Sequence, residues 1–223
     1  MTVLSVVRDA STSLGLEIPS VLFSNTTRTW VEMCALVNEC ARQILEEYDW
    51  SRLKKVASVT GDGTLTAFPL AADFDRMVMN ANLWGPSFTY YPQQQVADFN
   101  DWLELVSYDT GSWDQRWSIF GGNLNILPAL PSLETLSYGY ISNWVVNGTQ
   151  ATFTADTDTF TLDERLLKLC VIYNWKSLKG QDYVGDLQRY EDALSMARFK
   201  DPGSRPNITS GSRRRFPTGQ SFP

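Results

Sequence analysis

The spacing of apolar residues changes period twice along the chain. Val3, Val6, Val7, Ala10 and Leu14 share one helical stripe over residues 2–14. Gly15 ends that stripe, and Pro19 lies in the loop that follows. A second helix is expected from about Ser24–Thr27, where several side chains can cap it. Trp30, Cys34, Val37, Ala41, Ile44 and Tyr48 repeat there at heptad spacing, and Met33, Leu36, Cys40 and Leu45 widen the seam into a core face. From about Arg52 the period falls to two. Lys55–Thr60 reads as a strand, Gly61-Asp62-Gly63 as a turn, and Thr64–Phe68 as a returning strand closed by Pro69. Met77, Val78 and Met79 fit a strand, Trp84–Pro92 a loop with exposed aromatics, and Asp98–Val106 a short helix.

Trp117–Phe120, Gly121-Gly122-Asn123 and Leu124–Leu127 predict a strand, a turn and a strand. Leu136–Val146 and Ala151–Thr154 flank Asn147-Gly148, a strong short-range hairpin signal. Helical spacing then returns. Thr161-Leu162-Asp163-Glu164 reads as a capping box with Thr161 as the cap. The helix it opens carries Leu166, Leu169, Cys170, Tyr173 and Leu178, and Gly180 ends it. A last helix, from about Asp182 to Phe199, aligns Tyr183, Leu187, Tyr190, Leu194 and Ala197. The predicted class is α+β: a four-helix bundle with an inserted antiparallel β module and an extended C-terminal arm. Residues 1–50 and 156–200 form the bundle, 51–155 the insertion and 201–223 the arm. The expected bundle core is Trp30, Cys34, Val37, Ile44, Leu166, Cys170, Tyr173, Leu187 and Tyr190.

Charge sharpens this division. From Arg198 to the end the chain carries +5, and the body before it −11. Of the last 23 residues, 11 are Pro, Gly or Ser, a composition unable to bury enough apolar surface to fold alone. The arm is therefore expected to be disordered in the free subunit. A basic arm on an acidic body concerns partners rather than fold.

The 223 residues include no histidine. Ser-His-Asp and Cys-His triads and His-containing zinc sites are excluded. Cys34, Cys40 and Cys170 cannot all pair with one another, and an intracellular protein with buried thiols is expected. No run of about 18 apolar residues occurs, so no membrane-spanning helix is expected. The N-terminus lacks a basic n-region, so neither is a secretory signal. Gly61-Asp62-Gly63 and Gly121-Gly122-Asn123 match no phosphate-loop spacing.

Three features hold candidate chemistry. Asp156-Thr157-Asp158 offers carboxylates to a hard cation, or is an acidic turn before a helix. Asp98, Asp101 and Glu104 lie near Trp84 and Trp102 without a fixed separation, which gives little basis for a glycosidase pair. Arg213-Arg214-Arg215-Phe216-Pro217 suits docking of an extended arm on a protein, contact with nucleic acid, or a solvated tail. The phenylalanines and prolines favour docking.

The second helix closes on Glu47-Tyr48-Asp49-Trp50 and is followed by Val59-Thr60-Gly61-Asp62-Gly63-Thr64, Phe68-Pro69-Leu70 and Asp73-Phe74-Asp75-Arg76-Met77. Later come Trp117, Leu124, Ile126 and Pro128, then Leu136-Ser137-Tyr138-Gly139-Tyr140-Ile141-Ser142, Phe153–Asp158, Leu162-Asp163-Glu164 and Trp175-Lys176. In this order the chain resembles the head-to-tail adaptor (connector, head-completion) proteins of tailed bacteriophages. The resemblance implies a virion protein of the portal vertex that is not an enzyme and needs no cofactor. It implies a homo-oligomeric ring, typically of twelve copies, beneath the portal of the filled capsid. The expected partners are the portal protein, a tail tube, nozzle or tail-completion protein, and passing DNA, with no membrane. The portal contacts it implies are arm residues Arg205, Arg213, Arg214, Arg215, Phe216 and Phe222. The competing reading is a carbohydrate- or peptide-binding module of a phage tail, using Trp84, Phe88, Tyr90, Tyr91 and Trp102 as stacking platforms.

Overall fold

The computed structural model describes residues 1–79, 81–85, 94–107 and 116–201. Among the described residues five α-helices and seven strands lie in the order α1 (Val3–Leu14), α2 (Arg28–Glu46), β1 (Lys54–Thr60), β2 (Ala67–Pro69), β3 (Phe74–Met77), β4 (Gln94–Gln95), α3 (Phe99–Ser107), β5 (Arg116–Phe120), β6 (Asn123–Leu127), β7 (Thr135–Ser142), α4 (Glu164–Leu178) and α5 (Val184–Lys200). The class is α+β.

α1 starts at Thr2, whose hydroxyl accepts from Ser5 N, and stops at Gly15 in the left-handed conformation that glycine adopts without penalty. α2 buries Trp30, Met33, Val37, Cys40, Ala41, Ile44 and Leu45. The face is centred closer to Met33 and Cys40 than the heptad seam placed it, leaving Cys34 and Tyr48 half-buried. A straight helix drifts off a seven-residue repeat by about 20° per heptad, which accounts for the offset. α4 starts later than expected. Asp163 is its cap, accepting from Arg165 N at 2.8 Å, so Thr161 is not the N-cap of a capping box. Thr161 Oγ1 instead accepts from Gly148 N at 3.2 Å.

α4 buries Leu166, Leu167, Cys170, Val171, Ile172, Tyr173 and Trp175, which surround most of its axis. A helix apolar on most sides belongs at the centre of a packing unit. α1, α2 and α5 each pack on α4. Residues from the segment before α4, including Ile141, Val145, Val146, Phe153 and Phe160, complete the same core. Of the expected core residues, Trp30, Val37, Ile44, Leu166, Cys170, Tyr173 and Tyr190 are buried in it, and Cys34 and Leu187 pack against it half-buried.

The strands form two sheets, ordered β1-β7-β3 and β2-β6-β5-β4. Three expectations are corrected here. β1 does not pair with the strand after Gly61-Asp62-Gly63; it pairs antiparallel with β7, and β2 joins β6 in the other sheet. Asp62 sets that outcome: its carboxylate accepts from Thr64 N and Leu65 N, closing an Asx turn that redirects the chain. The module is not wholly antiparallel, because β4 pairs parallel with β5 at Gln94 and Gln95. Asn147-Gly148 forms a tight turn with both residues at positive φ, but only Val146 and Gln150 bridge across it, so no second strand follows. Asn147 spends its side chain elsewhere, accepting from Thr159 N and donating to Asp158.

The Gly121-Gly122 hairpin is as expected, with both glycines at positive φ and Phe120 opposite Asn123. A second core, of Val59, Phe68, Leu83, Trp117, Leu124, Ile126, Leu130, Leu136, Tyr138 and Tyr140, fills the β region. β7 thus enters the second core at Leu136 and reaches the first at Ile141.

Candidate functional site

The basic residues expected to dock, Arg205, Arg213, Arg214, Arg215, Phe216 and Phe222, lie outside the described residues. The root of the arm is within them. α5 ends at Asp201, which is buried although charged. Its carboxylate accepts from Ser51 N at 2.8 Å and from the Ser51 hydroxyl. Ser51 opens the short 3-10 turn Ser51–Leu53 that feeds β1. The arm therefore leaves from a fixed point where the helices meet the β region. Arg198, one turn earlier, donates to the carbonyl and carboxylate of Glu47 and lies over the Tyr48 ring.

A cleft of about 900 Å³ opens at this root, between the starts of α1 and α4 and the end of α5. Trp50, Phe160 and Leu162 form apolar walls, and Asp163, Arg165 and Lys200 bring both signs of charge. Its acids are engaged locally: Asp163 caps α4, Glu164 binds the Met1 amino group and Asp9 faces Lys168 at 3.8 Å.

A buried polar cluster lies at the start of β1. Asp73 is buried, and its carboxylate accepts from Lys55 Nζ, Tyr140 Oη and Ser142 Oγ, each at 2.7 Å. Burial alone would raise its carboxyl, but the bonds from Lys55, Ser142 and Tyr140 outweigh it and bring the pKa to about 2. Burial and the Asp73 carboxylate push the Tyr140 phenol up in turn. Lys55 also lies over the Trp144 ring at 4.6 Å. Every partner comes from β1, β7 or the segment leading into β3, so the cluster ties one sheet together.

Asp156 and Asp158 both serve nearby backbone rather than each other. Asp156 accepts from Leu22 N and Phe23 N, and Asp158 from Thr154 N, Ala155 N and Asn147 Nδ2. Backbone amides occupy the oxygens a cation would need. No group of three or more His, Cys, Asp or Glu among the described residues is arranged to hold a metal ion. Asp98 is likewise a cap, accepting from Asn100 N at 2.6 Å at the start of α3. Trp102 is buried and packs edge-on against Phe120, so its face is closed to a sugar ring, whereas Trp84 is exposed. Phe88, Tyr90 and Tyr91 lie outside the described residues.

The fold therefore presents anchored surfaces and an anchored arm root. A family model described as SU10 adaptor protein matches residues 1–215. The chain belongs to this family of phage head-to-tail adaptors. The match runs through both helical segments, the β region and the arm as far as Arg215. Adaptors of this family are structural phage proteins, and their place is the neck of the virion between head and tail. The curated proteins hold no match to the chain. No helix among the described residues is long and apolar enough to cross a membrane.

The residues that sequence reasoning missed are Ser51, Lys55 and Asp73. Lys55 and Asp73 lie on either side of Gly61-Asp62-Gly63, a turn whose sequence predicts a local hairpin. The signal for Asp201 was a lone acid in a basic, Pro- and Gly-rich segment.

Proposed function

We propose that the chain assembles as a homo-oligomeric ring, of about twelve copies, that joins the portal of the DNA-filled capsid to the tail and continues the DNA channel. The observation that carries this reading is the match to the adaptor family over residues 1–215. In this reading residues 1–50 and 156–200 act as a four-helix bundle packed around the ring. Residues 51–155 project as the β module, and the arm docks on the portal through Arg205, Arg213, Arg214, Arg215, Phe216 and Phe222.

The anchored root supports the arm's role. A peptide fixed at Asp201 reaches its target from a defined position, which raises its effective concentration there. An arm that orders only on binding pays its conformational entropy at the portal, so each copy binds weakly and the ring binds tightly. The test is electron microscopy of DNA-filled, portal-bearing heads mixed with the full chain or with a chain ending at Pro202. A ring below the portal that requires residues 203–223 is the expected result. Heads that acquire no ring from the full chain would overturn the reading.

A further inference from the structure

We propose that the loops 61–66 and 130–134 form a docking knob for the tail-side neighbour, with Leu133 and Leu65 entering an apolar socket rimmed by basic residues. This rests on the portal-to-tail reading above.

The first observation is backbone strain at an exposed site. Leu133 has φ +67°, a region unfavourable to a branched apolar residue, and is 87% exposed. Its side chain contributes to no core, so burial does not explain why a leucine is held there. Asn or Gly would make the same turn with less strain. Strained residues kept without a packing reason are associated with ligand contact.

The second observation is that the two loops are locked together. Gly61 N donates to Glu134 O at 2.8 Å, Leu133 N to Gly61 O at 3.0 Å and Gly63 N to Leu130 O at 3.0 Å. A Cβ on Gly61 would lie 2.4 Å from Pro131 O, so the loops approach as closely as glycine allows. The Asx turn at Asp62 then presents Leu65, itself half exposed. A rigid knob loses little entropy on docking.

Position and charge select the occupant. Thr60 and Thr135 pair at the end of β1 away from Lys54 and Ile141. Six residue steps along β1 set Thr60, at the base of the knob, about 20 Å from Lys54, which follows the Ser51–Leu53 turn at the arm root. The arm root and the knob thus lie at opposite ends of β1. Asp62 and Glu134 make the knob acidic, and no basic residue occurs from Val56 to Asp75 or from Trp117 to Glu164. Glu134 Oε1 is shielded from solvent without a hydrogen-bond partner among the described residues, so a cationic group arriving there would satisfy it. The partner is accordingly apolar at its centre and basic at its rim.

The experiment uses a lysate from infection by a phage lacking this chain, which supplies filled heads and tail components. Wild type, Leu133→Asn and Leu65→Asn are added separately, and rings and tails at the vertex are counted by electron microscopy. The expected result is rings with all three proteins and tail joining reduced at least about tenfold by each substitution. Leu133→Asn should also melt no lower than wild type, because asparagine tolerates the left-handed conformation. Tails joining equally well would overturn the proposal. So would rings lost in the variants, which would put the knob between copies or against the portal. Wild-type heads without rings would instead overturn the portal-to-tail reading, and the proposal with it.

Discussion

The carboxylate of Asp201 is bonded to Ser51, 150 residues earlier in the chain. The residue that closes α5 thereby pins the first turn after α2. A hydrogen bond to a buried charge contributes about 1.5–3 kcal/mol. A chain ending at Pro202 is therefore expected to melt like the full chain, and Asp201→Ala to lose about that amount. Thermal unfolding followed by circular dichroism measures both. Equal melting of Asp201→Ala and wild type would show that the contact stabilises nothing.

Asp73 makes stability depend on pH. Its folded pKa of about 2 lies below the ordinary value of about 3.9. The stabilisation is complete above the unfolded pKa and is lost as pH falls through the folded one. The window is therefore about pH 4 down to about pH 2, and the linked free energy about 2–3 kcal/mol. Asp73→Asn should remove that part of the acid dependence and lower stability near neutral pH by a similar amount. Urea titrations across the acid range test it; an unchanged slope in the variant would refute the assignment.

Asp158 holds its loop through amides from Thr154 and Ala155 and the side chain of Asn147. Those bonds, opposed by burial, hold its carboxyl below the usual range. Asp158→Ala leaves three donors without their acceptor and should cost about 2–3 kcal/mol. Added calcium or magnesium should leave the melting temperature of wild type unchanged. A rise with either ion would restore the metal reading of the Asp156-Thr157-Asp158 sequence.

Cys40 and Cys170 are free, buried and close enough to interact, and both accept from Asn174 Nδ2. The hydrogen bond with Cys170, together with burial, pushes the Cys40 thiol well up; burial, with the Asp156 charge, also raises Cys34. The reactive form is the thiolate. A maleimide should accordingly label the native chain slowly near neutral pH and all three thiols rapidly after unfolding. Mass spectrometry reads the difference, and fast labelling of Cys40 in the native chain would contradict it.

The helices were legible because each depends on local spacing. Val3 to Leu14, Trp30 to Leu45 and Tyr190 to Leu194 declare their buried faces without reference to the rest of the chain. α4 was legible as a helix but not in its start or its kind: Asp163 rather than Thr161 caps it, and Leu167, Val171 and Trp175 are buried besides the expected stripe. The β5–β6 hairpin was legible from its Gly-Gly turn, but distant strand partners were not. Lys55 and Tyr140 sit 85 residues apart in sequence order and side by side in the sheet, and periodicity cannot express such a pairing. The turn at Gly61-Asp62-Gly63 suggested the nearest strand as partner, whereas the Asp62 carboxylate sends the chain to the second sheet. At the arm root, charge counting found the basic segment and missed that its one acid, Asp201, is what fastens it.

β7 has a mechanical consequence. It is paired along one edge with β1 and along the other with β3, with its first half in one core and Ile141 in the other. A pull along the line from the helices to the far loops loads these hydrogen bonds in shear, so many must yield together. A pull across the sheet would open them one after another. The subunit is thus stiffer along its strands than across them.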